Sequence, residues 1–201
     1  MKTKNLFIGF KSSRAIPVRN GLTRDFLVQS TLDGGVCRID YQPVPRAESS
    51  IVPRGTIILE RSDGRFAIDI VLDGGPACGQ AAELLEVAFA RQCSGIMVVD
   101  ANDIMAEPRL SSAREVWNYR NMRIHADDRA EIVGALENEG PTTLARLGEI
   151  AMTRSDTRAA IYAMACDGTI ELDLRCGLGP DGLVLPGRFG GSTTLLTAFG
   201  A

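Results

Sequence analysis

The chain is 201 residues long, 45% apolar and 23% charged, a balance that fits a globular protein of one domain plus a small second one and excludes a disordered tail. Its net charge of −3 conceals a basic beginning and an acidic later region. Five cysteines without CxxC spacing (Cys37, Cys78, Cys93, Cys166, Cys176) and a single histidine, His125, exclude a His-rich metal site and point to buried free thiols in a reducing compartment, while the lack of any apolar run near the roughly 18 residues of a membrane helix, or of a leader-like start, points to the cytoplasm.

Residues 1–18 form a basic N-terminal arm. Lys2, Lys4, Lys11, Arg14, Arg19 and Arg24 occur before the first acid. A segment of this kind can contact phosphates, with Arg14, Arg19 and Arg24 as candidates; it equally reads as a solvated terminus. Gly21 onward places Leu22, Phe26 and Leu27 at helical spacing, and Leu32-Asp33-Gly34-Gly35 stops that helix. Val36 to Gln42 alternates as a strand. Pro43 and Pro45 end it, and a polar loop runs to Pro53.

Gly55 to Asp73 contains two apolar runs joined by Ser62-Asp63-Gly64-Arg65. Asp-Gly between β-rich runs predicts a hairpin with a type I′ turn centred on Asp63-Gly64. That register pairs Ser62 with Arg65, Ile58 with Asp69 and Thr56 with Val71, and directly opposed residues share a face. One face then carries Ile57, Leu59, Phe66, Ile68, Ile70 and Leu72, an apolar set that belongs to a core. The other carries Thr56, Ile58, Glu60, Ala67, Asp69, Val71 and Asp73, and any chemistry on the hairpin sits there.

Cys78 to Arg91 reads as a well-buried helix and Gly95 to Asp100 as a short buried strand. The helix is a crossover long enough to make that strand parallel to its predecessor. Residues 19–106 are therefore expected to form an α/β core with a mixed sheet and helices on its faces. A connecting helix, Leu110 to Met122, follows within 107–125. From 126 to 201 the pattern is three short helices and a strand: Ala126 to Glu139 stopped by Gly140, Leu144 to Ala151 capped by Thr142-Thr143, Thr157 to Ala165 capped by Ser155 or Asp156, and Thr169 to Leu174 released by Gly168. That order predicts a small helical winged-helix unit, ending in a glycine-rich tail over 177–201. Ten acids face four arginines across 126–174. The third helix offers only Arg158, with Arg154 just before it, for base edges, which favours protein contact over base readout.

The run Leu22-Thr23-Arg24-Asp25-Phe26-Leu27, then Val36 to Gln42-Pro43, then Asp63-Gly64-Arg65 resembles the endonuclease subunit of heteromeric transposases (TnsA-type), which has a restriction-endonuclease-like fold. Glu107-Pro108-Arg109-Leu110 and Val116-Trp117-Asn118-Tyr119-Arg120 resemble the segment after the nuclease core in that family. The resemblance spans about residues 19–174. It implies a carboxylate from the first helix, an Asp opening the hairpin, and an acid and a Lys two residues apart on its second strand, which together hold Mg²⁺ and stabilise developing charge. Those positions correspond here to Thr23, Thr56, Asp69 and Val71, so three of the four groups are missing. Asp73 lies about 14 Å along the strand from Asp69, too far to share an ion; Glu60, diagonal to Asp69 in this register, is the one candidate substitute.

The sequence thus points to a catalytically silent nuclease-fold subunit, without a cofactor, that binds DNA or a protein partner in a transposition or other DNA-processing complex. A winged-helix DNA-binding transcriptional regulator is the alternative. An active, divergent Mg²⁺-dependent endonuclease is a third reading.

Overall fold

The computed structural model describes residues 5–42, 55–71, 87 and 89–187. By internal contacts the chain divides into two units, Met1–Thr31 with Gly35–Ala106, and Leu32–Gly34 with Glu107–Ala201.

The first unit opens with a two-stranded ribbon, β1 (Leu6–Phe7) and β2 (Ile16–Pro17), which pairs Phe7 with Ile16 and buries both. Helix α1 (Gly21–Leu32) follows. Asn20 starts it: its Oδ1 accepts from the Thr23 N–H and from the Thr23 hydroxyl, both at 2.8 Å, which satisfies one of the orphan donors of the first turn. Phe26, Leu27, Val28 and Leu32 supply its buried side.

Strands β3 (Val36–Gln42), β4 (Thr56–Arg61), β5 (Gly64–Val71) and β6 (Gly95–Asp100) form a four-stranded sheet in that order. The first three are antiparallel, and β6 is parallel to β5 with Phe66 beside Gly95 and Asp69 beside Val98. The crossover between β5 and β6 lies largely outside the described residues, and with it most of the helix expected over Cys78 to Arg91. Phe89, near its end, packs on Ile58 and Ala67 together with Cys93 and Ile96. Asp100 then caps α2 (Ala101–Met105) by accepting from the Asn102 N–H. The result is a mixed sheet flanked by helices.

The hairpin register differs from the one expected. Arg61 pairs with Gly64, Glu60 with Arg65 and Ile58 with Ala67, so the two-residue loop is Ser62-Asp63. Among the described residues only glycines take a positive φ, and Gly64 does so at 148°; the unusual conformation falls on the residue after the loop instead of on both residues within it, and a type I′ turn is absent. The shift is two residues, one full period of a strand. Every described side chain of the hairpin therefore keeps its predicted face while its cross-strand partner changes, and Leu72 and Asp73 lie outside the described residues.

In the second unit, α3 (Arg109–Trp117), α4 (Ala126–Glu139), α5 (Leu144–Ile150) and α6 (Thr157–Cys166) enclose a core of Ile132, Leu136, Leu147, Ile161, Tyr162 and Met164. The helices start where their caps stand: the His125 ring for α4, Thr143 Oγ1 for α5 and the Asp156 carboxylate for α6. Strands β7 (Thr142–Thr143), β8 (Ile170–Leu172) and β9 (Leu183–Pro186) form an antiparallel sheet with β9 in the middle. Two elements are shorter than expected. The connecting helix ends at Trp117 in place of Met122, and β8 gives way to a 3₁₀ turn over Leu174–Cys176 because the Asp173 carboxylate caps the Arg175 N–H. Of the glycine-rich tail, residues 188–201 lie outside the described residues. Among the described residues no helix is long and apolar enough to cross a membrane.

Candidate functional site

The mixed face of the first sheet is where the resemblance expects chemistry, and cross-strand rows define its geometry. Continued one residue past the pair of Ile57 with Ile68, the hairpin register sets Thr56 opposite Asp69; Gln42 of β3 and Val98 of β6 complete that row. Asp69 thus faces Thr56, a correction to the expected pairing with Ile58. Two residues further along β5, Val71 lies beside Asp100.

Thr56 is 3% exposed. Its Oγ1 and Asp69 Oδ2 are both buried without a hydrogen-bond partner among the described residues. Burial raises the Asp69 carboxyl above the ordinary aspartate range, since a charge removed from water is disfavoured. Glu60 is ruled out as a substitute carboxylate by the corrected register: it pairs with Arg65 and lies four residues along the strand from Thr56, about 13 Å from the Asp69 row. Among the described residues the nearest other acid on this face is Asp100, diagonal to Asp69 at a Cα separation of about 8 Å, and its Oδ1 is engaged by the Asn102 N–H at 2.7 Å. Magnesium needs near-octahedral oxygen ligands with ionised carboxylates. One hydroxyl, one carboxyl and two valines do not supply that ligand set. Thr23 likewise offers no acid, and its hydroxyl is committed to Asn20.

The other end of the same face is polar. Arg38, Glu60 and Arg65 form one row across β3, β4 and β5, and Asp40, Ile58 and Ala67 form the next. Arg38, Asp40, Ile58, Glu60 and Arg65 line a cavity of about 220 Å³. Asp40 is its hub, since it accepts from Ser13 Oγ at 2.6 Å and the Tyr41 N–H at 2.8 Å, with Arg14 Nε at 3.2 Å and Arg65 at 3.7 Å. Burial pushes the Asp40 carboxyl up, but the Ser13 and Tyr41 hydrogen bonds and the charges of Arg14 and Arg38 outweigh it and hold the group below the ordinary range. The N-terminal arm is what brings Ser13 and Arg14 here: Ser12 bridges Ile39 in parallel, the Ile39 N–H donates to the Lys11 carbonyl, and the Ser13 N–H to the Ile39 carbonyl. Alternation in Val36–Gln42 put Arg38 and Asp40 on one face, but a lone strand does not disclose which hairpin residues complete the row.

The remaining candidate residues are scattered. Arg19 and Arg24 are exposed. Arg154 pairs with Asp127 at 3.0 Å while its backbone N–H bonds Asp128. Arg158 turns back on its own helix: Nε donates to the Tyr162 hydroxyl at 2.7 Å and another guanidinium nitrogen to the Leu178 carbonyl. Helix α6 itself is buried at every position from Ala159 to Cys166, and α3 packs on it, with Cys166 Sγ donating to the Val116 carbonyl at 3.2 Å and Tyr119 meeting Tyr162 edge-on at 5.4 Å. Burial pushes the Cys166 thiol up to about 12. The expectation of buried thiols is met there alone among the described cysteines, since Cys37 and Cys93 are half-buried and Cys176 is exposed.

No protein-family model matches the chain, and no curated protein sequence matches it significantly.

Proposed function

We propose that the chain is a catalytically silent, cytoplasmic subunit of restriction-endonuclease-like fold that binds DNA in a mobile-element or DNA-processing assembly. The observation that carries this reading is the Thr56–Asp69–Val71 constellation: the positions that would hold two carboxylates and a lysine carry a threonine, one aspartate and a valine. Loss of even one electrostatic stabiliser typically costs on the order of 100- to 1000-fold in rate. Support for a DNA-facing role comes from exposed guanidiniums, with Arg14 on the edge of the polar cavity and Arg19 and Arg24 nearby in sequence.

The second unit is read as a winged helix, supported by its helix–strand–helix–helix–strand–strand order and the central place of β9. Its third helix would be the one to enter a DNA groove. Burial of α6 and the inward hydrogen bonds of Arg158 favour an adaptor role with a protein partner over base readout. The transcriptional-regulator reading would need those groups at base edges.

The test is the salt dependence of duplex binding by the full chain. Replacing Arg14, Arg19 and Arg24 together by Ala should lower the log–log slope by up to about 0.9 for each phosphate that is no longer neutralised. A slope equal to that of the natural protein would return the arm to a solvated surface and remove it from the DNA-binding account.

A further inference from the structure

Two guanidiniums, Arg38 and Arg65, and two carboxylates, Asp40 and Glu60, line the polar cavity, with Arg14 reaching Asp40 from the arm, and their partners are unevenly distributed. Arg14 and Arg65 are both held by Asp40. Asp40 is in turn fixed by Ser13 Oγ and the Tyr41 N–H, and its carboxylate lies 3.2 Å from Arg14 Nε and 3.7 Å from Arg65. Arg38 is exposed and its charge acts on Asp40, but among the described residues it makes no hydrogen bond and no ion pair within 4 Å, and none is made by Glu60, the residue directly opposite it. With strands about 4.8 Å apart, Arg38 and Arg65 stand roughly 10 Å from each other at the backbone, on the same face and with the cavity between their side chains. Arginine forks at that spacing can converge on one tetrahedral oxyanion, to which each offers paired N–H donors. Glu60 is the residue that opposes this, because its negative charge in the same row repels an incoming anion.

We propose that the cavity lined by Arg38, Glu60, Arg65 and Asp40 is a binding site for a phosphate group, with Arg38 as its principal donor and the Glu60 charge as the opposing element that sets its affinity. The site is separate from the Thr56–Asp69 row and does not depend on the chain binding DNA. A free phosphate monoester or a backbone phosphate of a nucleic acid would supply the same chemistry. Asp40, on the cavity wall, is a positioning residue that draws Arg14 and Arg65 toward the site.

The test is calorimetric titration of the full chain with inorganic phosphate at low ionic strength, for the natural protein and for Arg38→Ala and Glu60→Gln. Both substituted residues are exposed, and unchanged thermal midpoints will verify that the variants fold. Loss of charge-assisted hydrogen bonds from Arg38 should weaken binding by about 10-fold or more. Loss of the Glu60 charge, a few ångströms away in a solvated cleft, should tighten it by about fivefold. Competition then identifies the source: displacement of phosphate by a short duplex would assign the site to a nucleic-acid backbone, whereas displacement by a phosphate monoester but not by the duplex would assign it to a free ligand. Binding that is not saturable, an Arg38→Ala variant that titrates like the natural protein, or a Glu60→Gln variant that binds no tighter would each overturn the proposal.

Discussion

Replacing Thr56 by Val should stabilise this protein, against the usual direction of a core substitution. The hydroxyl lies on a residue that is 3% exposed and has no partner among the described residues, so the folded state carries a desolvation cost of about 1–3 kcal/mol for it. Valine removes that cost and adds a buried methyl worth about 0.8 kcal/mol. Adjustment against Gln42 and Asp69 returns part of the gain, which leaves a net increase of about 1–2 kcal/mol. Urea unfolding followed by far-ultraviolet circular dichroism measures it, with an unchanged m-value as the sign that only stability has moved. Tryptophan fluorescence is the wrong probe, since the single tryptophan, Trp117, belongs to the other unit. A variant less stable than the natural protein by about 1 kcal/mol or more, on the scale of that desolvation cost, would refute the reasoning: it would mean that the hydroxyl is satisfied in solution by a bound water or ion, and that the Thr56–Asp69 row is a working polar site.

Two further outcomes follow from the same physics. Because burial raises the folded-state pKa of Asp69, the stability it contributes is complete below the ordinary aspartate range and is lost as the pH climbs through the raised value; Asp69→Asn should therefore gain on the natural protein as the pH of urea unfolding is raised from about 4 to 7, and a constant difference would contradict the shift. Arg158→Ala should cost about 1–2 kcal/mol, since it deletes hydrogen bonds from a charged group to the Tyr162 hydroxyl and the Leu178 carbonyl. Trp117 fluorescence reports that loss, while DNA affinity should stay the same; a fall in affinity at intact stability would put α6 on the DNA.

Much of the architecture could be read from residues alone, because punctuation and period are local. Gly140 ends α4, Thr143 and Asp156 start their helices, and Val36–Gln42 alternates as it should. The hairpin exposes the limit of that reading. Asp63-Gly64 signals a turn, but whether the glycine sits inside the loop or just after it depends on how the strands pair, and the answer moved Glu60 from beside Ala67 to beside Arg65. Faces survived the two-residue shift and partners did not. The polar cavity was out of reach for the same reason, as it is assembled from Arg38, Glu60 and Arg65 on three strands and anchored by an arm that joins the sheet at Ser12. Arg158 reads as an exposed donor from its place at the start of α6; only the fold reveals Tyr162 and Leu178 as its acceptors.

The central claim, that this fold binds DNA and does not cut it, is tested most directly by incubating the full chain with supercoiled plasmid in Mg²⁺ and in Mn²⁺ over hours and reading mobility and topology on the same gels. The predicted result is retarded plasmid that, after removal of the protein, is neither nicked nor linear, with Asp69→Ala indistinguishable from the natural protein. Metal-dependent nicking that disappears in Asp69→Ala would contradict the account and place a working nuclease centre on the Thr56–Asp69 row.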